Sequence, residues 1–181
     1  MVDFERFFGR YGGVQDACWC LYYHGTSRTI AKTSEEKYTA NLNLKRELVG
    51  KGVSRGILAY YGSDVIASCQ YGTAEELPRM DNSRRYREVE HVSDRSRLWR
   101  ITCFFIDKAH RHRNLTRLTL KQALKRISEE GGGVVEAYPV THRNTVEVWF
   151  GFLGIYLDEG FSIIGDFGKS NKIVRKIVEP S

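Results

Sequence analysis

The sequence predicts an α/β fold built on a mixed sheet, and three stretches carry that prediction. The first is a hairpin signature: two runs rich in apolar and aromatic residues, 56–61 and 65–72, flank the turn Gly62-Ser63-Asp64. The second is an apolar run at residues 98–106 that leads through a basic turn into a helical pattern. In that pattern Thr116, Leu120, Ala123, Leu124 and Ile127 recur on one stripe, the spacing of a helix with a single buried face. The third is Val134-Val135-Glu136-Ala137-Tyr138, a short strand set between three glycines and Pro139.

From the N-terminus, residues 4–10 read as a short helix ended by Gly12-Gly13. Residues 17–23 are dense in bulky apolar and aromatic side chains and read as a first strand. Ser34, followed by Glu35-Glu36, resembles a capped helix start, and the helix runs to about Val49 before Gly50 stops it. After the hairpin, residues 73–97 are polar and charged and form a long loop or a loop plus a turn, of the kind that is usually functional or mobile. Gly131-Gly132-Gly133 ends the helix that follows the basic turn. Residues 145–159 are helical in their second half, and residues 161–164 pair with 172–178 as closing strands. His142 and Arg143 read as a solvated loop beside the cleft. Gly168-Lys169-Ser170 imitates a phosphate loop, but that pattern needs a glycine where Ile163 stands, and no long helix follows. It reads as a hairpin turn.

Composition sets the class. At 181 residues, 41% hydrophobic and 28% charged, the chain suits one domain, residues 1–181, with a real core. No stretch approaches a membrane span, and the acidic start Met1-Val2-Asp3-Phe4-Glu5 does not resemble a secretory leader, so a cytoplasmic protein without membrane partners is expected. Cys18, Cys20, Cys69 and Cys103 all lie in apolar runs with no CxxC pair or clustered histidine, which favours buried reduced thiols over a metal site.

The net charge of +6 is concentrated. Lys108, Arg111, Arg113, Arg117, Lys121, Lys125 and Arg126 fall in one window with His110 and His112, a pattern that suits either a phosphate-bearing partner or a solvated basic helix face. A strand that runs into a basic turn and then a helix is a ready anion site, because the first helical turn presents unpaired N–H groups and the positive end of the helix dipole. A pyrophosphate would lie over the amides of about residues 113–117, reinforced by Arg111, Arg113 and Arg117.

This arrangement resembles the acetyl-CoA-binding motif of the GNAT acyltransferases. Residues 99–107 are similar to the family's strand, and Arg111-His112-Arg113-Asn114-Leu115-Thr116 occupies the place of its [QR]-x-x-G-x-[GA] turn. Residues 133–140 resemble the next strand, and Ile155-Tyr156-Leu157-Asp158-Glu159-Gly160-Phe161 resembles the "LYxxxGF" ending. Three segments in order cover roughly the last 85 residues. The sequence departs from the family at Asn114, where the motif has glycine, at Thr116, where it has a small residue, and at Trp149, where an asparagine often stands. Asparagine is the non-glycine residue that best tolerates positive φ, whereas Thr116 sets a branched side chain where backbone and pyrophosphate approach closely.

The resemblance implies a mostly antiparallel central sheet flanked by helices, and transfer of an acetyl group from acetyl-CoA to a primary amine by direct attack. The acceptor would be a small molecule or a peptide, no metal would be used, and a homodimer is compatible with it. The backbone and side chains of Phe104, Phe105, Ile106, Arg111, His112, Arg113, Asn114, Leu115, Thr116 and Arg117 would form the cofactor site. Tyr156 takes the position of the acid that protonates the departing thiolate. Glu136 could be the base, or could equally pair with an arginine. Cys103 as an acyl-carrying nucleophile is disfavoured, since no histidine adjoins it in sequence. Two alternatives stand beside the enzyme: a catalytically silent GNAT-like domain that senses acyl-CoA, and a nucleic-acid-binding module on the basic cluster. The second is weakened because the aromatic residues lie in apolar runs rather than between the basic ones.

Overall fold

A computed structural model describes residues 1–25, 33–89, 92, 94–142 and 148–181. Six strands form one sheet in the order β1-β2-β3-β4-β6-β5: β1 Arg55–Tyr61, β2 Asp64–Thr73, β3 Leu98–Ile106, β4 Gly133–Ala137, β5 Ser162–Asp166 and β6 Lys172–Val178. All neighbours are antiparallel except β3 and β4, which run parallel and need a crossover. The crossover is the helix α4, Leu115–Glu129, which buries Leu120, Ala123, Leu124 and Ile127 as its spacing predicts. The remaining helices are α1 Val2–Gly9, α2 Ser34–Gly50, the single turn α3 Arg84–Arg87, and α5 Leu153–Asp158.

The two faces of the sheet have separate cores. On one, Cys69, Tyr71, Ile101 and Phe104 pack with the α4 stripe, Tyr156 of α5 and Phe161. On the other, Phe7 and Phe8 of α1 pack with Trp19, Leu21 and Val65, with Cys103 and Phe105 of β3 against them. Strand alternation sends Phe104 to one core and its neighbours Cys103 and Phe105 to the other.

Three expectations are corrected. Residues 17–23 are not a strand: Trp19 and Cys20 have φ of 48° and 57°, and the chain instead makes the 3-10 turns Gln15–Ala17 and Tyr22–His24. The apolar run reports burial beneath α1 and α2, where Trp19 and Leu21 are at most 1% exposed, rather than strand pairing. The cap of α2 is Thr33, one residue earlier than expected. Its side chain accepts from the Glu36 amide while the Glu36 carboxylate accepts from the Thr33 amide, a reciprocal capping box. The region 73–97 is more than a loop with a turn. It holds the 3-10 helix Pro78–Asn82 and α3, and the fully buried Arg100 guanidinium pins it by donating to the carbonyls of Ala74 and Leu77 and to the Asp81 carboxylate. Residues 143–147, which include Arg143 and the start of the expected helical region, lie outside the described residues. His142 is exposed, and Gly168-Lys169-Ser170 forms the turn between β5 and β6.

Candidate functional site

The site begins where β3 and β4 part. Their pairing ends at Ile101 opposite Ala137, yet β3 continues to Ile106 with β2 as its partner. Thr102 is an extra residue in that ladder, since Tyr71 faces Ile101 while Gln70 faces Cys103. The bulge bends β3 at the point of parting. Beyond it, alternate backbone groups of Cys103–Ile106 point away from β2 with no β4 to receive them.

β3 then delivers the chain into the basic turn. Asp107, 9% exposed, accepts from the Ala109 amide and from the Tyr11 hydroxyl, both at 2.8 Å, and so fixes the exit from the strand. Asn114 is the N-cap of α4 at φ 60°, ψ 17°, the left-handed conformation that glycine would adopt most easily, and His112 also has positive φ at 63°. The Asn114 side chain makes no cap hydrogen bond, so it leaves the first-turn amides of α4 free of their own cap. Arg111, His112, Arg113 and Asn114 are exposed, Leu115 and Thr116 half-buried, and among the described residues Arg111 and Arg113 have no carboxylate partner. Arg117 differs: its guanidinium is committed to Glu159 at 2.8 Å and Asp158 at 2.6 Å, which ties α4 to the end of α5. It can offer a bound phosphate its amide more readily than its charge.

Three of the expected site residues meet behind this turn, around a fourth that sequence reasoning missed. A Cβ placed on Gly151 would lie 3.4 Å from Thr116 Cγ2, 3.5 Å from the Tyr156 ring and 3.6 Å from the Phe104 ring. Gly151 has φ 76°, so a side chain there would strain the backbone as well as fill that junction. Gly151 and Phe152 run between β3 and the continuation of β4: the Gly151 carbonyl accepts from the Val140 amide, and the Leu153 amide donates to the Val140 carbonyl, each at 2.9 Å. The glycine two residues before α5 was the available signal.

Tyr156 is fully buried, and its hydroxyl donates to the Phe150 carbonyl at 2.8 Å. Burial holds its phenol well above the ordinary value, so the proton stays in place at neutral pH. Glu136, on β4, is 1% exposed. It accepts two hydrogen bonds from Arg175, at 2.8 and 3.1 Å, and one from the Tyr86 hydroxyl at 2.6 Å. The structure thus gives Glu136 the arginine partner that the sequence left open. Among the described residues no group of three or more His, Cys, Asp or Glu side chains is placed to hold a metal ion, and no helix is long and apolar enough to cross a membrane.

No protein-family model and no curated protein sequence matches the chain. Solved structures do. A protein assigned to the GNAT acetyltransferases from Desulfovibrio desulfuricans superposes with a TM-score of 0.53 at 15% identity, covering 87% of this chain and 91% of its own. Ribosomal-protein-alanine N-acetyltransferase from Brucella melitensis gives 0.52 at 14%, covering 89% and 92%. The PaiA N-acetyltransferase from Thermoplasma acidophilum, solved with coenzyme A, gives 0.50 at 17%, covering 97% and 88%. At such low identity the likeness establishes architecture: the chain has the GNAT fold.

Proposed function

We propose that a chain with this fold is an acetyl-CoA-dependent N-acyltransferase, a single domain over residues 1–181 that carries an acyl group to a primary amine. One observation carries the reading: a strand freed of its neighbour after Ile101 runs into an uncapped helix N-terminus whose turn is held by Asn114 in the left-handed conformation. The phosphates of CoA would rest on the amides of residues 113–117, with Arg111 and Arg113 as exposed counter-charges and His112 beside them. The thioester arm would follow the edge of Phe104, Phe105 and Ile106 that faces away from β2, towards the junction of Thr116, Gly151 and Tyr156. When bound, CoA supplies the activated acyl carbonyl.

The amine of the acceptor attacks that carbonyl directly, and Tyr156 donates its proton to the departing thiolate. Its hydroxyl must first leave the Phe150 carbonyl. The base is less determined by geometry. Glu136 could serve only by giving up part of its bonding to Arg175 and Tyr86, so a base in the acceptor or a water is an equally simple route. A peptide amine is the acceptor class favoured here, with support from the likeness to an enzyme whose name marks it as acting on ribosomal-protein alanine.

A second reading is a domain that binds acyl-CoA without turning it over. The bonding of both acid–base candidates to neighbouring groups is what favours it. Calorimetric titration with acetyl-CoA, CoA and a short DNA duplex separates the readings. Micromolar CoA binding without duplex binding is expected, and no response at millimolar CoA sinks the proposal. Thiol release with a panel of amines and N-terminal peptides then divides enzyme from sensor. Replacing Arg111 and Arg113 together by alanine is expected to weaken CoA roughly tenfold or more, about 1.4 kcal/mol per decade, with the loss shrinking at high salt.

A further inference from the structure

On the sheet face opposite α4, a polar cluster lies between α2 and the β1–β2 hairpin and takes no part in the chemistry above. Lys45 of α2 is 4% exposed, yet among the described residues no carboxylate pairs with it. Its ammonium donates to Ser54 Oγ at 2.6 Å and sits 4.9 Å from the centre of the Phe4 ring. Ser54 in turn contacts His24 Nε2 at 3.1 Å, and His24 Nδ1 lies 2.8 Å from the Glu76 carbonyl. The simplest proton assignment has His24 neutral, with Nδ1 donating to that carbonyl. Burial, and then the nearby Lys45 charge, push its pKa down to about 4, which agrees. In neither protonation state can the histidine balance the lysine.

Cys20 and Cys103 meet in the same place, Sγ to Sγ 3.8 Å apart although 83 positions separate them in the chain. Cys20 is 7% exposed and Cys103 partly exposed. A cavity of about 170 Å³ reaches Cys20: with it, Lys45, Ser54, Cys69 and Gln70 line the cavity, the exposed Met1 and Gly56 are also among its walls, and Cys103 stands behind Cys20. An ammonium buried without a counter-charge is costly: burial lowers the Lys45 pKa, the nearby cysteines oppose that, and a thiolate on Cys20 is the anion this neighbourhood can offer to hold the charge. Contact with the Cys103 thiol and the charge of Lys45 lower the Cys20 thiol against the opposing effect of burial. The same contact, with burial, raises Cys103. The pair is thus polarised, with one sulfur a nucleophile and the other a retained thiol.

We propose that Cys20 and Cys103 are a peroxide-reactive dithiol, with Cys20 the nucleophile reached through the cavity and Cys103 resolving its oxidised form. The substrate class is a small hydroperoxide. The Cys20 thiolate attacks the terminal peroxide oxygen; an S–O bond forms, the O–O bond breaks, and the alkoxide leaves as the alcohol (or water) with a proton from the Lys45 ammonium. Cys103 then attacks the Cys20 sulfenic acid. The S–S bond forms, the S–O bond breaks, and water leaves with the Cys103 proton. Two thiols are oxidised and one hydroperoxide is reduced, and Lys45 ends neutral, no longer in need of a partner.

Stoichiometric hydrogen peroxide is expected to remove the mass of two hydrogen atoms from the intact chain, with peptide mapping that joins Cys20 to Cys103. Cys103→Ser should stop at a sulfenic acid on Cys20 that a 1,3-dione reagent traps, and Cys20→Ser should leave Cys103 unoxidised at the same dose. Lys45→Met should slow the reaction about tenfold, whereas Lys45→Arg, which keeps the charge but does not give up a proton, should keep Cys20 easily labelled without restoring the full rate. If Lys45→Met fails to fold, iodoacetamide labelling of the unaltered chain against pH asks the same question: Cys20 is expected to label below the pH at which an ordinary thiol does. Bridging of Cys18 or Cys69 instead, oxidation no faster than that of free glutathione, or labelling of Cys20 only in the ordinary thiol range would each overturn the proposal.

Discussion

The mouth of α4 and the acid–base candidates behind it use their polar atoms in opposite ways. Around Arg111–Asn114 the charges are exposed, the cap residue leaves the first-turn amides alone, and Arg111 and Arg113 have no carboxylate partner among the described residues. Tyr156 and Glu136 are at most 1% exposed, and their polar atoms hold neighbouring structure together. A ligand can settle on the first region without breaking anything. The second can act only by surrendering bonds that stabilise the fold. Affinity and turnover should therefore answer to different residues, and the larger losses of stability should follow the second set.

The sharpest way to break that contrast is Glu136→Gln. Losing one charge of a buried ion pair typically costs about 3–5 kcal/mol. Because the Arg175 side chain is 21% exposed and can regain water, the lower end is expected, read by urea denaturation. CoA affinity should be unchanged. Stability that holds while thiol release collapses would make Glu136 the base and undo the view that it is chiefly structural.

Tyr156→Phe tests the other buried candidate. The Phe150 carbonyl loses its donor, which costs about 1–3 kcal/mol for a buried acceptor. If the hydroxyl is the acid, turnover falls by roughly a hundredfold or more while the CoA dissociation constant barely moves. Unchanged turnover removes Tyr156 from the chemistry and leaves it as the bond that holds the Val148–Phe150 turn.

The same contrast explains what the sequence disclosed. Local signals with fixed geometry were legible: the hairpin around Gly62, the α4 stripe, the termination at three glycines, and the anion turn, where Asn114 stands at the motif's glycine and tolerates the left-handed conformation. Signals that depend on tertiary partners were not. The apolar run around Trp19 could be a strand or a buried loop, and the α1 and α2 packing decided for the loop. Arg100 gave no sign in sequence that it would gather the 73–97 segment, because Asp81 and the two carbonyls it binds are brought to it by the fold. Likewise the partner of Glu136 lies 39 residues away on β6, and Gly151 gains meaning only beside Thr116, Tyr156 and Phe104.

The smallest expected effect lies in the open region and tests whether it is as uncommitted as its geometry suggests. At φ 60° Asn114 adopts a conformation that glycine takes without steric cost, so Asn114→Gly relieves local strain. Glycine also frees the unfolded chain by a comparable amount, about 0.4–1 kcal/mol, and the two effects offset to within roughly 0.5 kcal/mol. Stability should barely change. Affinity decides the matter, because no side chain then stands between the turn and a pyrophosphate. Tighter CoA binding by titration means that Asn114 crowds the phosphates and merely preserves the turn. Weaker binding means that its amide contacts the ligand, and the departure from glycine is then a binding feature in its own right. Asn114→Ala separates backbone from side chain: with no polar group to support the left-handed conformation it should cost about 1–2 kcal/mol in stability, and a stability unchanged by alanine would show that the turn does not depend on that conformation.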